Sequence, residues 1–173
     1  GDLNGDGIDD VVIGDSGDGQ YRPLGEGGAA VIFGRDVSGG AAFPPRIVVE
    51  ELDGTDGFRI ADRCQPLSGG THCAQAGASL AGIGDINGDG IDDLALGAPD
   101  DLGVAAFGSP GAVYVVFGRG DFPAEVALNT LGPGEGFKAV GDGRIARTAR
   151  AGRSVAGVGD VNGDGFADML VGS

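Results

Sequence analysis

An all-β repeat fold is predicted by three observations. Glycine is the dominant residue, with 38 copies in 173, a composition that disfavours helix and supplies turns. Apolar runs of four to seven residues, rich in Val, Ile, Leu and aromatics and mostly bounded by Gly, Asp, Asn or Pro, recur along the chain and read as strands. The runs also return in the same order in successive stretches of the chain, the mark of a repeat architecture. No segment carries a helical stripe, and no three-residue glycine period marks a collagen.

The repeat is anchored by one acidic motif that occurs three times: DLNGDGIDD from Asp2, DINGDGIDD from Asp85 and DVNGDGFAD from Asp160. The second interval is shorter than the first. GGAAVIFG (27–34) matches GAVYVVFG (111–118) at an offset of 84, and Phe43-Pro44, Leu52 and Gly57-Phe58 match Phe122-Pro123, Leu131 and Gly136-Phe137 at 79. The offset holds inside the apolar runs and changes between them, as strands joined by variable loops require.

Taken in order, one repeat offers SLAGIG, the acidic loop, DLALGA, AVYVVF and a segment around GFKAV. The first repeat offers DVVIG, AAVIF and GFRIA in the same places. RIVVEEL and EVALNTL add a short strand or turn before the fourth strand. Four strands in about 80 residues predict a four-stranded antiparallel β-propeller blade. A lone blade would expose both faces, so several must stack. The expected division is residues 1–77 as a partial blade from the acidic loop onward, 78–152 as a complete blade, and 153–173 as the start of a third. The chain begins at an acidic loop and ends in the strand after one, and reads as a slice of a longer product with sheet faces left open.

The acidic loop has the chemistry of a calcium site. Calcium takes six to eight oxygen ligands. Alternate positions of a curled loop point inward, so positions 1, 3, 5 and 9 supply side chains and position 7 a carbonyl. The candidate ligands are Asp2, Asn4, Asp6, Ile8 (carbonyl) and Asp10; then Asp85, Asn87, Asp89, Ile91 (carbonyl) and Asp93; then Asp160, Asn162, Asp164, Phe166 (carbonyl) and Asp168. Position 8, where Ala167 replaces the aspartate of Asp9 and Asp92, is expected to point away from the ion. Gly88 and Gly90 are expected to allow the tight turn. Carboxylates about 5 Å apart repel by roughly 3 kcal/mol per pair at an effective dielectric near 20, and about three calcium ions would relieve this. An EF-hand is excluded because it needs Glu at position 12, where Ile13, Leu96 and Val171 stand. Magnesium, which prefers a smaller octahedral shell, fits less well.

Net charge is −15, from 26 acidic and 11 basic residues; this surface repels nucleic acid and anionic membranes. No apolar run is long enough to cross a bilayer. Cys64 and Cys73 lie in DRCQPLSGGTHC, as a local disulfide or as two free thiols. His72 is the only histidine, and no Ser-His-Asp set can be assembled around it, so no catalytic residue is assigned. Arg119-Gly120-Asp121 directly follows a predicted strand and reads as a turn, Gly34-Arg35-Asp36 standing in the aligned place. Tyr21, Tyr114 and the eight phenylalanines are expected to pack between blades, with a ligand face as the other reading for Tyr114. Arg144, Arg147, Arg150 and Arg153 read as a solvated loop.

GDINGDGIDDLALGAP (84–99), preceded by AGASLAGI and followed by GAVYVVFG, closely resembles the FG-GAP repeat. That repeat builds the seven-bladed propeller of integrin α subunits and of many bacterial surface and secreted proteins. Seven blades need about 500 residues or more, so only part of such a propeller is present. The resemblance implies that the acidic loop joins the first two strands of a blade on one face of the propeller, and that the side chains at positions 1, 3, 5 and 9 are calcium ligands. Ala76-Gly77 and Ala151-Gly152 stand in place of Phe-Gly, and Gly-Ala-Pro is intact only at 97–99. The function implied is that of a calcium-stabilised propeller segment of an extracellular, secreted or cell-surface protein, acting in adhesion or binding of a protein or glycan ligand beside neighbouring blades of the same or another chain. The alternative is the non-catalytic propeller portion of a secreted hydrolase or phospholipase.

Overall fold

The computed structural model describes residues 1–17, 27–40, 42–67, 70–102, 109–142 and 149–173. Among these the regular elements are strands and two single 3₁₀ turns. In chain order the strands are β1 (Val11–Asp15), β2 (Gly27–Ile32), β3 (Gly57–Asp62), β4 (Gln65–Leu67), β5 (Gly70–His72), β6 (Ser79–Gly84), β7 (Asp93–Ala98), β8 (Ala112–Val116), β9 (Glu125–Ala127), β10 (Gly136–Val140), β11 (Ser154–Gly159) and β12 (Asp168–Gly172). The 3₁₀ turns, Val49–Glu51 and Leu128–Thr130, occupy equivalent places in the two repeats.

The second sheet is the antiparallel meander the sequence predicts, in spatial order β10-β8-β7-β6. Leu80 faces Leu96, Leu96 faces Tyr114 and Tyr114 faces Lys138 across successive ladders. Period-2 alternation then sends odd and even positions of one strand to opposite faces. Ala112, Tyr114 and Val116 of β8 join a core with Ala29, Val31, Phe58 and Ile60 of the first sheet. Val113 and Val115 join Ile83, Ala95, Val155 and Met169 in a second core under the β11–β12 hairpin. With both faces covered, every residue of β7 and β8 is buried.

The first sheet departs from a pure meander. Its order is β1-β2-β3-β9, and β9 belongs to the following repeat. This strand adds in parallel to the outer edge of β3, aligning Arg59 with Glu125, Ile60 with Val126 and Ala61 with Ala127. The short strand expected before the fourth strand therefore exists, but it pairs with the neighbouring sheet. The faces at the two ends of the stack are open: Val11 is 57% exposed, Ile13 49% and Leu170 63%.

The phenylalanines divide. Phe33, Phe58 and Phe122 are buried between the sheets, whereas Phe43, Phe137 and Phe166 are exposed, correcting the expectation that all pack between blades. Tyr114 is buried, so the ligand-face reading fails. Tyr21, Phe107, Arg144 and Arg147 lie outside the described residues. Arg150 pairs with Asp100 at 3.4 Å. Cys64 and Cys73 form a disulfide that closes the β4–β5 hairpin, their Cα atoms 4.3 Å apart.

The glycine of each Ala-Gly pair has a steric reason. Gly77 and Gly152 have φ near +89° and +87°, and a Cβ there would fall 2.0 Å from the Gly28 carbonyl oxygen and 2.2 Å from that of Ala112. The residue before it is free of that constraint, and Ala76 fills a fully buried place in the core.

Candidate metal centre

Each acidic loop folds on its own side chains, and the geometry repeats. In the second loop the Asp85 carboxylate accepts the amides of Gly88 (2.6 Å), Asp89 (3.1 Å) and Gly90 (2.8 Å). Asn87 Oδ1 also accepts the Asp89 amide, at 2.9 Å, while its Nδ2 donates to Asp89 Oδ2 at 2.9 Å. Asp89 Oδ1 accepts the Ile91 amide at 2.9 Å. The third loop repeats every one of these bonds through Asp160, Asn162 and Asp164. The first does so through Asp2, Asn4 and Asp6, with the Gly5 amide outside the pattern. Such side-chain-to-backbone turns are what Asp and Asn favour. The glycines at positions 4 and 6 hold φ between +73° and +92° in all three loops, where L side chains are strained.

Position 9 has a structural role that the sequence did not reveal. Asp93 is fully buried; its Oδ2 accepts the Ile86 amide at 2.9 Å and its Oδ1 the Gly118 amide at 2.8 Å. Asp10 does the same with Leu3 and Gly34, both at 2.8 Å. The carboxylate thus fastens the head of the loop to the end of the third strand. Asp168 bonds the Val161 amide at 2.9 Å. Neighbouring loops are joined as well. The position-8 amides of Asp92 and Ala167 donate to the carbonyls of Asp2 and Asp85, at 3.2 and 2.9 Å. At the first joint the Asp92 side chain adds to this link, its Oδ2 accepting the Asp2 amide at 3.2 Å; at Ala167 the main-chain bond stands without that side-chain contact.

The electrostatics follow burial. Desolvation pushes the Asp10 and Asp93 carboxyls above the usual range, against their amide bonds, and the charges at positions 1 and 5 push the same way. For Asp85 a desolvation penalty is outweighed by the amides of Gly90, Gly88, Asp89 and Asn87, which hold its carboxyl below the usual range. The Gly165 amide leads the same lowering at Asp160.

The donor set in each loop is all oxygen: three carboxylates, one amide oxygen and a main-chain carbonyl. Among the described residues no group of three or more His, Cys, Asp or Glu side chains gathers into a metal site; the loop carboxylates are turned onto main-chain amides, and a site would have to be completed by Asn and main chain. That mixed hard-oxygen set, on a glycine-bent turn already shaped by its own carboxylates, fits calcium and offers nothing to a soft metal.

Arg119 of the Arg-Gly-Asp tripeptide is occupied. It pairs with Glu135 at 3.0 Å and lies 4.9 Å from the Phe122 ring centre. Arg35 makes the equivalent pair with Asp56 at 2.9 Å and lies 5.2 Å from Phe43. A contact repeated in both repeats is a structural clamp on the turn.

At the opposite end of the sheets from the acidic loops lies a buried polar group. The Tyr114 hydroxyl donates to Asp101 at 2.9 Å, and Lys138 Nζ pairs with Asp101 at 2.7 Å. Burial and the Asp101 charge push the Tyr114 hydroxyl far above its ordinary value. Asp62, also buried, accepts the Ala76 amide at 3.3 Å; burial raises its carboxyl, the Ala76 bond opposes this, and the Asp101 charge raises it further. A raised folded-state carboxyl favours the fold below the ordinary pKa near 4 and loses that advantage as pH rises through the raised value. Asp62→Asn keeps an acceptor for Ala76 and removes the charge. It is expected to melt about 2–4 °C above the unaltered chain at pH 7, for about 1 kcal/mol, with the advantage gone below about pH 4. Melting curves across pH check this.

Sheets of this order, stacked face to face with an acidic turn between the first two strands, define partial blades of a β-propeller. The FG-GAP repeat family matches residues 76–116 and 151–173, and the chain carries FG-GAP repeats. It is 33% identical over 173 residues to human phosphatidylinositol-glycan-specific phospholipase D, covering 99% of this chain and 17% of that protein. It is 31% identical over 181 residues to integrin alpha-PS5 of Drosophila melanogaster, covering 99% of this chain and 14% of the integrin. To integrin alpha pat-2 of Caenorhabditis briggsae it is 40% identical over 98 residues, 56% of this chain and 7% of that one. The chain thus spans less than a fifth of the length of these relatives. Among the described residues no helix is long and apolar enough to cross a membrane.

Proposed function

We propose that the chain is a calcium-stabilised propeller segment of a secreted or cell-surface protein, with calcium in a structural role and the blades acting in adhesion or ligand binding. The observation that carries the reading is the threefold recurrence of one loop geometry with every candidate oxygen ligand kept. In each loop the side chains at positions 1, 3, 5 and 9 and the carbonyl at 7 would hold the ion, which supplies charge neutralisation. Three divalent ions would offset six of the net fifteen negative charges. The disulfide agrees with an oxidising compartment, where millimolar calcium suits modules of weak affinity. The integrin relatives support adhesion.

Titrating calcium into the chelator-stripped chain while recording thermal melting tests this. At about tenfold over the dissociation constant each site adds about 1.4 kcal/mol, so three sites together raise the melting temperature by several degrees. Magnesium should do less. No shift at millimolar calcium would overturn the reading.

A second reading has one specific observation in its favour, the phospholipase relative matched along 99% of this chain. On that reading the blades are the non-catalytic portion of a secreted hydrolase or phospholipase. The described residues supply structure and no assigned catalytic group. Hydrolysis of phospholipid or glycan esters by the full-length protein, set against its adhesion to cell-surface ligands, separates the two.

A further inference from the structure

The segment between the third and fourth strands of the second repeat works as a lateral clasp on the preceding blade. Three contacts make it. Phe122 stacks on Phe58 with ring centres 3.9 Å apart and planes within 6°. β9 pairs in parallel with β3. Glu125, at the head of β9, takes ion pairs from both Arg59 (3.3 Å) and Arg63 on the outer strand and its end. Phe122, Val126 and Leu128 are all buried by this docking.

The first repeat carries the same segment in the aligned place: Phe43 for Phe122, Arg46 for Glu125, Ile47 for Val126 and Val49 for Leu128. It has the same 3₁₀ turn, Val49–Glu51 against Leu128–Thr130. Yet Phe43 is 46% exposed, and Ile47 and Val49 are only half-buried. It borders a groove of about 1050 Å³ lined also by Ile13, Ala30 and Arg59, on the open face where Val11 and Ile13 are exposed. The charged residue at its head has the opposite sign to Glu125.

We infer that Phe43–Val49 is an unfilled clasp, and that its partner is a further blade of this fold whose outer strand carries carboxylates where the first sheet carries Arg59 and Arg63. The head residue acts as a charge code. Glu125 accepts a basic outer strand and Arg46 an acidic one, so each clasp selects its own blade and rejects the wrong neighbour through like-charge contact. The geometry that carries this is independent of calcium.

The test moves the clasp into the place where docking is known. Residues 125–131 (EVALNTL) are replaced by residues 46–52 (RIVVEEL), on the unaltered chain and on Arg59→Glu/Arg63→Glu. On the acidic background the graft is expected to melt about 3 °C above the native segment, and on the basic background about 3 °C below it. Amide exchange in β3 should slow and quicken in step. If the acidic double change prevents folding with either segment, Arg63→Glu alone gives the same comparison, since Arg63 is 51% exposed. A graft whose melting and exchange do not depend on the sign of the outer strand would overturn the proposal.

Discussion

Phe58→Ala is expected to lower the melting temperature by about 10 °C, corresponding to about 3–5 kcal/mol for truncating a buried phenylalanine. Phe58 is fully buried. Its ring stacks on Phe122 at 3.9 Å and meets Phe33 at 5.8 Å. Phe122 is donated by the second repeat, so the cavity would open at the joint between sheets. Amide exchange in β3 and β9 should quicken before that in β7 and β8, which are covered on both faces. An internal control exists. Phe137 stands at the equivalent place of the second sheet, but is 39% exposed, and among the described rings it meets Phe117, at 6.1 Å. Phe137→Ala should cost under about 1 kcal/mol. Equal losses at the two positions would show that the clasp contributes nothing to the joint.

The strands were legible because period and alternation are local properties. GFRIA, SLAGIG, DLALGA and GFKAV each became a strand within one residue of the expected bounds. Which strand meets which is a property of distant partners. Nothing in Glu125–Ala127 announces that it will leave its own repeat and pair with β3, because the three-residue run carries no register of its own. The exposure of Phe43 and Phe137 escaped notice for the same reason: their sequence contexts match those of Phe122 and Phe58, and only the presence of a neighbouring sheet differs. In the acidic loops the Asp/Asn/Gly spacing showed positions 1, 3, 5 and 9 to be special, since glycine marks the positive-φ turns. It did not distinguish exposed Asp89 from buried Asp93. That difference arises where the third strand returns alongside, bringing the amide of Gly118 from 25 residues away.

Asp93→Ala is expected to be the most damaging change in any of the loops, for two separable reasons. The carboxylate is fully buried and satisfies the amides of Ile86 and Gly118; deleting it leaves two donors unpaired, at about 1–3 kcal/mol each. That loss is present in chelator. The second reason is the proposed calcium ligand, whose loss appears only as a missing increment when calcium is added. Asp89→Ala isolates this second part. Asp89 is exposed, and its contacts are the Asn87 side chain and the Ile91 amide. In chelator, Asp89→Ala should melt within about 1 kcal/mol of the unaltered chain, while Asp93→Ala falls by about 3–5 kcal/mol. In calcium both should lose the increment of one site of three, leaving the other two occupied. If Asp89→Ala kept the full calcium increment, the second loop would hold no ion and its acidic residues would serve the turn alone. Should Asp93→Ala instead match Asp89→Ala in chelator, the tie between loop and third strand would be worth little, and the position-9 aspartate would be there for the metal.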